Sequence, residues 1–173
     1  MLRVFFPAVF LLAASLQGAL AESRDRLDGF NGVSFGTTYA DAKRALGAAA
    51  KEDSKVTGAH KTIKTLLVDM TLDGQVYRDA FIFGSAGRLS RVAITPKNVA
   101  FGKDQAACDA AGAAMVESLL AKYGAPTTDK TDGGERTLTF TFKDKNEIEA
   151  SLDFGPFGCL TYAAFYTPAG KNQ

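Results

Sequence analysis

"LSRVAITP" (residues 89–96) and "LTYAAFYTP" (residues 160–168) end alike, each a strand-like run that begins on leucine and stops at Thr-Pro. If each closes a structural unit, the chain holds two such units in tandem. Reading backwards from the first, Leu66, Val68, Met70 and Leu72 alternate with Leu67, Asp69, Thr71 and Asp73, the period-two pattern of a half-buried strand. Asp73-Gly74 turns the chain into a second strand, Val76 to Phe83, and Gly84-Ser85-Ala86-Gly87 turns it into the third, Leu89 to Thr95.

Reading backwards from the second stretch gives the same order. Leu138, Phe140 and Phe142 alternate with Thr137, Thr139 and Thr141, and Lys145-Asn146 turns into Ile148, Ala150, Leu152 and Phe154, which alternate with Glu147, Glu149, Ser151 and Asp153. A last strand runs from Cys159 to Thr167. Ahead of each trio lies a helical pattern. "GVSFGTTYADAKRALG" (residues 32–47) puts Tyr39, Ala42 and Leu46 on one face, with Thr38 and Asp41 spaced as a capping box and Gly47 placed to end the helix. Residues 104–123 put Ala111, Met115, Leu119, Leu120 and Tyr123 on one face before Gly124 and Pro126 stop the helix.

The expectation is therefore an α+β fold of two tandem αβββ units, about 32–96 and 104–168, joined in one antiparallel sheet with both helices on one face. A single α+β sheet whose halves share only hairpin chemistry is the alternative. A phosphate-binding loop is excluded at residues 32–47, because Gly32 and Gly36 are one residue too close and Thr37-Thr38 stands where Gly-Lys is required.

The N-terminus predicts export. Arg3, the apolar run Val4 to Leu12 and the small-residue site Ala19-Leu20-Ala21 form a signal peptide over residues 1–21, too short a run for a membrane anchor. Residues 22–173 then form one domain, periplasmic or secreted. The full chain has 20 basic and 19 acidic side chains, and losing Arg3 leaves 19 of each, a balance that attracts neither nucleic acid nor an anionic membrane. In an oxidising compartment the two cysteines, Cys108 and Cys159, predict one disulfide between the second helix and the last strand.

The stretch "GVSFGTTYADAKRALG" (residues 32–47) resembles the strand-to-helix entry of the form G-[M/T]-[T/S]-x-x-x-[V/A]-x-x-x-x-G found in the bacterial β-lactamase-inhibitor-like and outer-membrane-assembly lipoprotein families. That resemblance implies short helices packed on a small antiparallel sheet, and for the inhibitor family a tandem of two such units with disulfides. The lipid-carrying cysteine of the lipoprotein branch is absent, and neither family's activity transfers to particular residues here.

Chemistry-bearing constellations are sparse. His60 is the only histidine and sits in the polar stretch "KEDSKVTGAHKTIK" (residues 51–64), which reads as an exposed loop. One histidine and two paired cysteines supply neither a hydrolase triad nor a zinc site, and no calcium loop is present. Glu147 and Glu149 share a strand face and read as charges on a solvated sheet. No catalytic residue, metal or cofactor is assigned.

Binding is the remaining expectation, with another envelope or secreted protein as partner. If Cys159 points to the helices, so do Thr161, Ala163 and Phe165, while Leu160, Tyr162, Ala164 and Tyr166 face away. Tyr162 and Tyr166, beside Thr139 and Thr141, are the expected partner surface. A bulge after Gly158 would instead bury both tyrosines. The alternative functions are a periplasmic small-molecule-binding protein, with a site lined by Phe81, Phe83, Phe140 and Phe142, and an enzyme of unrecognised type.

Overall fold

A computed structural model of the chain describes residues 25–57, 61–72, 74–97, 105–155 and 158–171. The predicted signal segment, His60 and the side chain of Cys159 lie outside the described residues. A two-stranded hairpin of β1 (Gly29–Phe30) and β2 (Val33–Ser34) leads into α1 (Tyr39–Leu46) and one turn of 3-10 helix. Four strands follow: β3 (Lys51–Thr57), β4 (Lys61–Leu72), β5 (Gln75–Phe83) and β6 (Leu89–Pro96). Then come α2 (Gln105–Tyr123) and four more, β7 (Thr128–Asp132), β8 (Glu135–Thr141), β9 (Glu147–Gly155) and β10 (Gly158–Tyr166).

The two similar stretches of the sequence are neighbours in space. The eight long strands form one antiparallel sheet in the order β3-β4-β5-β6-β10-β9-β8-β7, so β6 and β10 meet at its centre, with Ala93 opposite Ala164 and Val92 opposite Phe165. Each helix is followed by four strands where three were expected. The polar stretch read as a loop at residues 51–64 instead contributes β3, paired with β4 from Lys51↔Leu67 to Thr57↔Lys61. The strand missed in the second half, β7, pairs with β8 at the opposite edge.

Alternation decides which side chains the helices cover. Leu66, Val92, Leu138, Phe140, Ile148, Ala150, Ala163 and Phe165 share one face and form the core with Ala42 of α1 and Met115, Val116 and Leu119 of α2. Tyr39 of α1 packs edge-on against Phe83, at 5.1 Å between ring centres, and Tyr123 of α2 packs edge-on against Phe142 at 5.7 Å. Both helices therefore lie on the same side of the sheet. On α2 the buried stripe runs through Cys108, Ala111, Gly112, Met115, Val116 and Leu119, whereas Leu120 is exposed. α2 comes close to β9 at Gly112, where a Cβ would lie 2.3 Å from a Leu152 methyl and would displace that side chain. Phe30 of the hairpin closes the core from above, 4.8 Å from the Phe165 ring.

The lead-in to α1 is a cap. The backbone N–H of Asp41 donates to Thr38 Oγ1 at 3.3 Å, and the Thr38 hydroxyl donates to Asp41 Oδ2 at 2.7 Å. Gly47 ends the helix at φ +64°, a conformation that side chains with a Cβ rarely adopt.

Candidate functional site: the uncovered face of the sheet

Strand β10 pairs with β9 without a register shift from Gly158↔Gly155 to Tyr166↔Glu147, so no bulge follows Gly158. Alternation from Thr161, Ala163 and Phe165, which face the core, turns Leu160, Tyr162, Ala164 and Tyr166 to the side away from the helices. The expected direction of both tyrosines holds. Their expected exposure does not: Tyr166 is only 4% exposed and Tyr162 is half-buried.

The physical reason is a shared acceptor on the neighbouring strand. Glu149 lies opposite Ala164, between the two tyrosines, and its carboxylate accepts from both phenols, from Tyr162 at 3.0 Å on Oε1 and from Tyr166 at 3.2 Å on Oε2. The rings thus flank Ala164, which is buried although no helix among the described residues covers it. Lys171 adds a cation over the Tyr166 ring at 5.4 Å and an ion pair to Glu147. Burial first, then the Glu149 hydrogen bond, pushes the Tyr162 phenol up to about 12. Burial together with the charges of Glu149 and Glu147 pushes the Tyr166 phenol up as well. Glu147 and Glu149 are thus held by named partners, Lys171 and the two phenols, where a freely solvated pair was expected.

Thr139 and Thr141 face the same side but stand one strand further away. Thr139 lies opposite Glu149 and Thr141 opposite Glu147, so β9 separates them from the tyrosines. Thr139 is half-buried and Thr141 exposed. Ser151, fully buried on this face, donates to Glu135, and Leu160 is 48% exposed at the end of the row. The surface is thus a tyrosine–glutamate cluster flanked by threonines on one side and an apolar side chain at one end.

The other expected features are accounted for in turn. Phe81, Phe83, Phe140 and Phe142 are buried members of the core. Cys108 is buried in the first turn of α2 with its Sγ 3.5 Å from Thr161 Oγ1 on β10. Among the described residues no group of three or more His, Cys, Asp or Glu is arranged to hold a metal, and no helix is long and apolar enough to cross a membrane. One buried carboxylate was missed. Asp79 occupies a core position on β5, and its signal was present in the sequence as a charge at the parity of Tyr77, Phe81 and Phe83.

No protein-family model matches the chain, and no curated protein matches it. Among solved structures it is similar to a DUF4309 family protein (YjgB) from Bacillus subtilis subsp. subtilis str. 168. That likeness has 13% identity and a TM-score of 0.37 over 76% of this chain and 78% of the other. Function has to be argued from the residues themselves.

Proposed function

We propose that the protein is an exported, non-catalytic binding module of the bacterial envelope that engages another protein through the uncovered face of its sheet. The observation that carries this reading is Leu160, a large apolar side chain left 48% exposed two residues from Tyr162 on a face where no helix among the described residues packs. Anchoring of both phenols on Glu149 adds support, since a surface held in place before contact loses little entropy on binding. Aromatic side chains with a polar tip are the kind that concentrate binding energy. Residues 1–21 would be removed on export, leaving Glu22 as the new N-terminus.

Two structural proposals accompany it. The first is that the halves are tandem units of a helix and four strands, supported by the mirrored strand order about β6 and β10 and by the shared ending of those two strands. A fold-group relationship to the inhibitor-like and lipoprotein families is part of that reading, supported by the strand-to-helix entry at residues 32–47. The second is a Cys108–Cys159 disulfide, supported by the contact of Cys108 with Thr161, which lies two residues from Cys159 and on the same strand face.

Photocrosslinking in intact cells tests the function. A benzophenone side chain placed at Leu160 or Thr139 is expected to give a discrete crosslinked band in the envelope fraction, while the same group at Leu120, exposed on α2, gives none. Equal crosslinking from all three positions, or none from any, would remove the sheet face as a binding surface.

A further inference from the structure

Folding does not account for Asp79. It lies on β5 between Tyr77 and Phe81, has no exposed surface, and faces Val68 on β4 and Ile94 on β6. Neither carboxylate oxygen has a hydrogen-bond partner among the described residues. The Tyr77 hydroxyl, two residues away on the same strand face, donates to the Ala111 carbonyl of α2 at 3.0 Å. A buried carboxyl with no donor is a heavy burden for a fold, and an apolar side chain of the same size would relieve it. Such a group calls for a donor from outside the chain.

A space for one lies alongside. Tyr77 and Ile94, which frame Asp79, also line a cavity of about 150 Å³ that is walled further by Phe30, Met115, Leu119 and Phe165. Asp79 is not itself a lining residue, but it lies on β5 two residues from Tyr77 and opposite Ile94, which both are, and the unbranched side chains of Met70 and Met115 at the cavity have the rotational freedom to bring an occupant within its reach. A cavity of that size lined by apolar groups accommodates a benzene ring. The charged and titratable groups around it are few. Lys122 of α2 lines the cavity, but its ammonium lies over the Tyr123 ring at 5.2 Å, while Asp69 and Arg78 pair on the opposite face of the sheet. Burial, with the charge of Asp69 adding, raises the Asp79 carboxyl to about 7, so a cation arriving near neutral pH finds a proton that is easily displaced.

We infer that this cavity is a binding site for a small hydrophobic amine, its apolar body between α2 and the sheet and its ammonium donating to Asp79. The site is on the covered side of the sheet and is independent of any protein bound on the other.

Methyl NMR of the methionines reads the site directly, since Met70 and Met115 are two of only three methionines in the chain and Met1 is the third. Benzylamine is the probe and benzyl alcohol the neutral control of the same shape. Saturable shifts of the Met70 and Met115 methyls are expected, with benzylamine binding about tenfold more tightly than the alcohol. Asp79→Asn, which keeps the shape and removes an unpaired charge, should abolish that preference while still binding both probes weakly. Leu119→Phe, which fills the cavity without touching Asp79, should lose both. Absence of saturable shifts with benzylamine, equal affinity for the two probes, or a preference that survives Asp79→Asn would each overturn the assignment.

Discussion

The two faces of the sheet bury polar groups by opposite means. On the covered face Asp79 sits among apolar side chains with no partner among the described residues for either oxygen. On the uncovered face Tyr166 and Ser151 are as thoroughly enclosed, yet each has a carboxylate to bond, Glu149 and Glu135 respectively. The helix above supplies partners to some of these groups, the Ala111 carbonyl to Tyr77 and Cys108 to Thr161, but none among the described residues to Asp79. Enclosure by neighbouring strand side chains removes water and supplies partners in the same step. Burial alone therefore says little about what a polar group contributes, and the sign of its effect follows from the bonds it keeps.

The largest test of this contrast is pH. Asp79 in the folded chain holds its proton up to about pH 7, while in the unfolded chain it releases it near the ordinary carboxylate value of 3.8. The folded state binds more protons in between, so this group's contribution to stability falls as pH rises from about 4 to about 7 and stays low above that. The stability gained by Asp79→Asn should grow over that window and reach about 4 kcal/mol above it. Urea unfolding of both proteins at several pH values measures it. A difference independent of pH would mean that Asp79 has a partner.

Next in size is the proposed tie between α2 and β10 on the covered face. If Cys108 and Cys159 are bonded as proposed, reducing the bond, or Cys108→Ser, should cost about 3 kcal/mol, because it would close a long loop between α2 and the last strand. The loss should fall on the covered side and leave the protection of Tyr166 unchanged. Two free thiols found by mass spectrometry of protein from the periplasm would break the pairing.

On the uncovered face, Glu149→Ala strips both phenols of their shared acceptor and should cost about 2 kcal/mol, with Glu149→Gln, which keeps an acceptor, costing less. Nitration should reach Tyr162 before Tyr166 in the wild type and reach both in Glu149→Ala. Because burial and Glu149 raise both phenols above the ordinary value of 10, the folded chain keeps phenolic protons that the unfolded chain releases. Their stabilisation is thus complete below about pH 10 and is lost as pH rises towards the folded values. Spectrophotometric titration should place Tyr162 near 12 and bring it down in the alanine variant.

The same contrast explains what could be read from the sequence. Strands β4, β8 and β9 were legible because one face is covered and the other is not, which writes period two into Leu66-Val68-Met70, Leu138-Phe140 and Ile148-Ala150-Leu152. Strands β3 and β7, "KEDSKVT" and "TDKTD", were not, since they are edge strands of polar and charged residues whose identity comes from pairing with β4 and β8. On the alanine-rich α2 almost any stripe could have been the buried one, and the close approach at Gly112 selects it. Asp79 was visible as a charge at core parity, whereas the burial of Tyr166 was not, because it depends on where Glu149 and Lys171 reach from other segments.

The smallest effect belongs to a polar pair that neither face encloses. Thr38 caps α1 in the open, accepting from the Asp41 N–H and donating to its carboxylate. Water can replace both bonds once the hydroxyl is gone, so Thr38→Ala should cost only about 1 kcal/mol. In a domain of this size that lowers the melting temperature by about 3 °C. It should leave benzylamine binding and crosslinking from Leu160 untouched, because a cap oxygen organises the first turn of a helix and contacts neither surface. Were the variant to keep its melting temperature and instead lose affinity for a phosphorylated compound, the stretch at residues 32–47 would have to be read again as an anion site. The contrast between satisfied and unsatisfied polar groups would then no longer rank these substitutions.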